Sequence, residues 1–224
     1  MKKVVTTLTI LVTLFSFSQT PITKSIGEFT ELKAYDLINI ELIKSKENKV
    51  EIFGDNTHDV VVVNKNGKLK IKMEIDEIFD GNKTNVKLYY TSVDIIDANE
   101  GAYIASQDNF DQYELTLKAQ EGGYIKLNCK LKNTEIKAVT GGVIELSGTT
   151  NTQDININTG GIFKGKDFES KNTQISIRAG GEADVNTSGV LDIKIRAGGD
   201  VFIYGDPETV NESRALGGRI KRMN

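Results

Sequence analysis

Tryptophan is missing from this chain of 224 residues, histidine and cysteine occur once each, and proline occurs twice. The lone Cys129 excludes an internal disulfide, so stability has to come from a packed core. The lone His58 sits in the turn-like stretch "GDNTHD" with no second histidine or cysteine to complete a zinc-type site, and reads as a solvated loop residue. A formal net charge of −3 lacks the basic excess that nucleic acid demands. No helical period of about ten residues or more is available to cover a sheet, which leaves an all-β protein.

Glycine is plentiful, with 21 residues, and much of it is periodic. The stretches "EIKAVTGGVIEL", "DININTGGIFKG", "QISIRAGGEADV" and "DIKIRAGGDVFI" each centre on a Gly-Gly pair. The pairs begin at Gly141, Gly160, Gly180 and Gly198, in steps of 19 (160−141), 20 (180−160) and 18 (198−180). Pairs at Gly122 and Gly217 and a degenerate one at Gly101 extend the series to seven units from about residue 93 onward. Counting from the first glycine, positions −5 and −3 hold Ile136 and Ala138, Ile155 and Ile157, Ile175 and Ile177, Ile193 and Ile195. Positions +3 and +5 hold Ile125 and Leu127, Ile144 and Leu146, Ala183 and Val185, Val201 and Ile203. All offsets are odd, so one side of an extended chain is apolar on both flanks of the glycines. Lys126, Glu145, Asn156, Arg178, Asp184 and Lys194 lie between them and face water. A one-sided apolar strand with no helix to cover it buries that side by coiling once per unit and stacking on the next. The reading is a parallel β-helix or solenoid of rungs about 19 residues long, right-handed by the crossover rule. The glycine pairs are its corners, and Cys129, at the inward offset of +7, is a buried and inert thiol. A phosphate-cradling or calcium-binding glycine loop is disfavoured, since no helix follows and the residue after the pair varies from Tyr124 to Arg219.

The remaining segments divide the chain. Residues 1–18, with Lys2, Lys3, the apolar Val4 to Phe17 and small residues before Gln19, read as a secretory signal peptide, too short for a membrane span. No cysteine follows for lipid attachment, and the mature chain is expected to be exported, periplasmic or at the cell surface. Residues 19–92 lack glycine pairs and read as strands and a hairpin, with "VVVV" and "KLKIKM" flanking "NKNG", that lean on the first rung of the solenoid at 93–224. The whole of 19–224 is compatible with one continuous domain. After Gly218 only six residues follow in this sequence, so no transporter barrel is expected.

Candidate site residues are few. Arg178 and Arg196 share offset −2, while Glu182 and Asp200 share +2, so stacked rungs could gather them, near Asp184, on one charged outer face. The competing reading is a surface ladder of offsetting charges worth about 0–1 kcal/mol per pair. "EIDEIFD" offers Asp76, Glu77 and Asp80 to a cation but lacks the glycine turn of a calcium loop, so no metal site and no cofactor is expected. Tyr113, Tyr124, Phe163 or Tyr204, if aligned along one side, would favour binding of carbohydrate or protein.

The glycine-centred repeats, the N-terminal "FTELKAYDLINIELIKSKENKVEIFGD", the phrase "GKLKIKM" and above all "GDVFIYGDP" followed by "GGRI" resemble the secreted bacterial family described as "putative auto-transporter adhesin, head GIN domain". The resemblance spans nearly all of the mature chain. It implies an all-β solenoid, export and an adhesin-like role, and it carries no catalytic motif. "RAGG" and "NTGG" stand where Ser-Gly-Ala-Gly is common, a departure expected to affect corner detail. The function expected is a non-enzymatic, adhesin-like or structural module of the cell envelope whose partner is an envelope protein or a glycan. The alternatives are a carbohydrate-active β-helix enzyme and a periplasmic subunit of an envelope complex.

Overall fold

A computed structural model describes residues 21–223; the expected signal peptide lies outside the described residues. Each glycine pair joins two strands that belong to different faces of one coil. On the first face, the strands leading into the pairs stack in parallel: Ile95–Ala98, Glu114–Ala119, Asn133–Val139, the second halves of Val143–Asn158, Ile162–Ile177 and Glu182–Ala197, and Thr209–Leu216. On the second face, the strands leaving them stack likewise: Tyr103–Asp111, Tyr124–Lys130, the first halves of the same three long strands, Asp200–Tyr204 and Arg219–Arg222. The sequence repeat is thus a parallel β-solenoid, as its period predicts.

Register turns the repeat into columns. Leu117, Ile136, Ile155, Ile175 and Ile193 are successive partners, all buried, and the second face carries Ile104, Ile125, Ile144, Phe163, Ala183 and Val201 in the same way. Each column is a continuous apolar rod, because a like side chain sits above and below every member at the ~4.8 Å strand spacing. On the last rung the inward places opposite Ile193 and Ile195 are taken by Glu212 and Arg214, 3.9 Å apart. Charges turned toward the core position discourage a further strand from pairing there.

The corners come in two kinds, matching the two glycine phrases. In "VTGG" and "NTGG" the threonine itself is left-handed (Thr140 φ 48°, Thr159 φ 50°), as is the first glycine. The second glycine then lies so close to the rung before it that a Cβ on Gly142 would meet the carbonyl oxygen of Ala119 at 2.1 Å. In "RAGG" the two glycines take the positive angles (Gly180 φ 65°, Gly181 φ 124°) and the alanine does not. The left-handed pair of residues is thus shifted one place along the chain in this phrase.

On the three rungs built from the long strands the opposite corner is polar inside, whereas Tyr90, Phe110, Cys129 and Leu131 fill the earlier ones. Gln153 Nε2 donates to Thr173 Oγ1 (2.9 Å) and Ser170 Oγ (3.1 Å), and Thr173 and Thr187 share a hydroxyl bond of 2.7 Å. The hydroxyls and Gln153 Nε2 satisfy one another across three rungs, as a desolvated hydroxyl requires, while Gln153 Oε1 stays buried without a partner among the described residues.

The N-terminal region is more than a support. Glu31–Ala34 and Asn39–Lys44 form a rung directly against Ile95–Ala98 and Tyr103–Asp111, and Lys68–Met73 with Thr84–Tyr90 forms another beyond it. The chain therefore lays its second rung outside its first. Leu69, Leu32 and Ile96 continue the isoleucine column of the first face, so a single apolar core runs across the boundary drawn at residue 92. Outside these rungs, Lys49–Gly54 pairs antiparallel with Thr84–Tyr90, Ile22–Ser25 with Lys49–Gly54, and Val60–Lys65 with Lys68–Met73. The last pair is the expected hairpin, turned by left-handed Asn66 (φ 53°) and Gly67 (φ 74°).

Candidate binding surface

Outward residues form columns too, and the second face carries the more apolar one. Phe53, Asn85, Asn39, Tyr103, Tyr124, Val143 and Ile162 are successive partners along it. The Tyr103 and Tyr124 rings lie 5.5 Å apart, and Lys164 Nζ lies 5.5 Å from the centre of the Tyr124 ring. Beside this column runs a second one of Glu51, Lys87, Glu41, Ala105, Lys126, Glu145 and Lys164, in which the charges largely alternate. Lys126 Nζ pairs with Glu145 at 2.8 Å, and the Tyr124 hydroxyl donates to the same carboxylate. These two donors hold the Glu145 carboxyl below its ordinary value, the lysine contributing more. Burial, then Glu145, pushes the Tyr124 hydroxyl up.

Ala105 interrupts the long charged side chains, and a depression of about 650 Å³ opens there. Asn39, Glu41, Phe53, Asn85, Tyr103, Gln107 and Lys126 line it. It coincides with the irregularity in register between Lys126 and Asn128 against the Tyr103–Asp111 strand.

The first face has its own shallow groove of about 630 Å³, whose lining includes Glu114, Glu135, Asp154 and Asp192. Glu135 and Asp154 are direct partners on adjacent rungs. Burial, and secondarily the Glu135 charge, raise the Asp154 carboxyl above its usual range.

The four charged residues singled out from the sequence lie on the two sides of one glycine corner. Arg178 and Arg196 help line a depression of about 490 Å³ with Asp192 and Lys194 on the first face, while Glu182 and Asp200 are direct partners on the second. Among the described residues Asp200 pairs with Arg219, at 2.8 Å, and with neither of those arginines. Asp184, on the second face, is raised by burial and then by Glu182.

Among the aromatic residues, Tyr113 is 69% exposed and Tyr204 half-buried, but Phe163 is wholly buried. Phe163 stands at the inward offset of +3, and its ring fills the space left by Gly165, where a Cβ would meet it at 2.3 Å. It contributes to the core and not to a binding face. His58 lies exposed in a short turn, Thr57–Asp59. Cys129 is buried, and its thiol is pushed up to about 12 by that burial alone. Asp76 and Asp80 are exposed, and Asp80 accepts a hydrogen bond from Asn56 at 2.7 Å. Among the described residues no group of three or more His, Cys, Asp or Glu side chains converges as for a metal ion, and no helix is long and apolar enough to cross a membrane.

Known proteins of the same build exist. A crystal structure of "a putative adhesin" from Bacteroides fragilis superposes with a TM-score of 0.80 at 17% identity, covering 92% of this chain and 98% of that one. A "putative lipid binding protein" from Parabacteroides distasonis gives 0.67 at 19% identity, covering 92% and 98%. A "putative adhesin" from Parabacteroides merdae gives 0.67 at 15%, covering 92% and 97%. These likenesses concern the fold. No curated protein matches the sequence. The model of the family described as "Putative auto-transporter adhesin, head GIN domain" matches residues 28–207, four-fifths of the chain and every rung but the last, and this protein belongs to that family.

Proposed function

We propose that this chain is an exported, non-enzymatic, adhesin-like module of the bacterial cell envelope that binds an envelope protein or glycan through the second face of its coil. The observation that carries this reading is the outward column of Tyr103, Tyr124, Val143 and Ile162, held in register by the parallel ladder and flanked by Lys126, Glu145 and Lys164. Aromatic and aliphatic side chains fixed on a rigid sheet offer contact area at little entropic cost. The description of the family, "Putative auto-transporter adhesin, head GIN domain", supports the assignment, and solved structures of the same fold are described as "putative adhesin".

The test is a binding screen of residues 19–224 against glycans and separated envelope proteins, with two variants. One carries Tyr103→Ser and Tyr124→Ser; the other neutralises Arg178, Glu182, Arg196 and Asp200 together. Binding lost in the first and kept in the second supports the proposal. Loss only in the second moves the site to the charged corner, and no binding by the native chain overturns the reading.

One observation favours a carbohydrate-active enzyme as a second reading. Glu135 and Asp154 stand on adjacent rungs in a groove, with one carboxyl raised, and a glycosidase sets two carboxyls of unequal acidity about 5–10 Å apart. Release of reducing sugar from envelope polysaccharide, abolished by Asp154→Asn and by Glu135→Gln, would establish it.

A further inference from the structure

The depression around Ala105 has a chemistry of its own. Its floor spans three strand spacings between Phe53 and Tyr103, about 14 Å, across the short side chains of Asn85 and Asn39. Two aromatic rings thus stand at opposite ends of an amide floor. Tyr103 is 37% exposed, and its ring is backed by that of Tyr124 at 5.5 Å.

The polar groups suit hydroxyls better than ions. Asn39 Nδ2 donates to the Asn82 carbonyl at 3.2 Å, and Asn85 Nδ2 donates weakly to the Lys83 carbonyl at 3.4 Å, so both amide oxygens remain as acceptors. Gln107 reaches Glu41 at 3.4 Å, a long bond that a better partner can replace. One carboxylate, Glu41, and one ammonium, Lys126, stand on neighbouring strands either side of Ala105, and Lys126 is already neutralised by Glu145. The site carries both donors and acceptors and no excess of either charge. Its volume, about 650 Å³, falls within the range of about 300–1,000 Å³ for small-molecule clefts.

A pyranose has this pattern in complement, with an apolar C–H face for an aromatic ring and a rim of hydroxyls that both donate and accept. An acyl chain would leave the amides desolvated and unpaired. A polyanion would find Lys126, already paired with Glu145, and Lys87, which stands 5.7 Å from the centre of the Phe53 ring between its register partners Glu41 and Glu51. We infer that the depression around Ala105 is the binding subsite for a short stretch of neutral glycan, seated on Phe53 and Tyr103 and hydrogen-bonded by Asn39, Asn85, Glu41 and Gln107. The inference rests on the second-face reading above and names its ligand class.

The experiment uses residues 19–224 on immobilised neutral oligosaccharides of glucose, galactose, mannose and N-acetylglucosamine. Parallel arms carry an acidic polysaccharide and phosphatidylglycerol–phosphatidylethanolamine vesicles. Tyr103→Ala removes a wall, and Ala105→Glu fills the floor from an outward position; thermal melting checks that each variant is folded, with Asn39→Ala as replacement for either. Binding of a neutral oligosaccharide that falls about tenfold or more in the folded variants is the expected result. Neutral binding unchanged by these substitutions, or binding only of the acidic polymer or the vesicles, overturns the glycan subsite while leaving a second-face binder intact. Failure to bind any glycan, envelope protein or vesicle overturns both.

Discussion

Replacing Ile155 by alanine tests the stacked columns where they are deepest. Ile155 is fully buried, with Ile136 below and Ile175 above as register partners. In a helical core a neighbour could shift into the gap. Here the partners are pinned by backbone hydrogen bonds on both sides at ~4.8 Å, so the void persists. A buried Ile→Ala change costs about 2–5 kcal/mol, with the upper part reached when the site does not collapse. We therefore expect about 4 kcal/mol, which for a domain of this size corresponds to about 8–16 °C in Tm. The assay is urea unfolding followed by circular dichroism, with Lys137→Ala, on the exposed side of the neighbouring strand, as the control that should stay within about 0.5 kcal/mol. A midpoint shift equivalent to less than about 1 kcal/mol for Ile155→Ala, or equal shifts for both variants, would refute the reasoning. A fall in the slope itself would mean that the rungs uncouple and unfold in parts.

Three further outcomes are expected. Gly142→Ala should destabilise far more than Gly141→Ala, because a Cβ at 142 collides with the Ala119 carbonyl whereas one at 141 meets nothing within 4 Å and carries only the strain of φ 72°; comparing the two melting temperatures decides it. Thr173→Val should cost about 0.5–1.5 kcal/mol by removing its bonds to the Gln153 amide and the Thr187 hydroxyl, each of which keeps Ser170 Oγ as a partner, and a neutral result in urea titration would mean the polar corner is not closed. Burial, then the neighbouring Asp36 carboxyl, raises the Glu100 carboxyl above its unfolded value, so the folded state holds that proton more tightly. Its contribution to stability therefore declines as pH rises through the interval above about 4.3. Glu100→Gln should then stabilise the protein at pH 7 and lose that advantage near pH 3; an advantage that is the same at both pH values would contradict this.

The sequence is legible where a corner is marked. From Gly101 onward each glycine pair announces a turn, and odd offsets assign Ile155, Ile175 and Cys129 to the interior, where they lie. Phe163 obeys the same parity, and grouping it with the tyrosines by chemistry alone overlooked its offset. The N-terminal rungs were hidden for two reasons. Their corners use left-handed Asp36 (φ 59°) and Leu37 (φ 62°), and a short turn at Ile75–Glu77 followed by Gly81, in place of a glycine pair. Their stacking order also departs from chain order, which no local pattern records. The Ala105 depression depends on that order, since strands distant in sequence supply Phe53, Asn85 and Asn39. The charged residues Arg178, Glu182, Arg196 and Asp200 were visible as a pattern, but the corner between them sends the arginines and the acids to different faces.

The most direct test of one uninterrupted coil is a set of spin-label distances along the outer column that runs from Lys221 through Phe202, Asp184, Lys164, Glu145, Lys126, Ala105 and Glu41 to Lys87. With Cys129 replaced by alanine, labels at Lys126, Glu41 and Lys87 should lie about 24, 34 and 38 Å from Lys221 between backbone positions, one strand spacing per step. The order Lys126, Glu41, Lys87 is the prediction. A Glu41 label farther from Lys221 than the Lys87 label, as stacking in chain order would give, or distances that do not grow with rung number, would contradict the account.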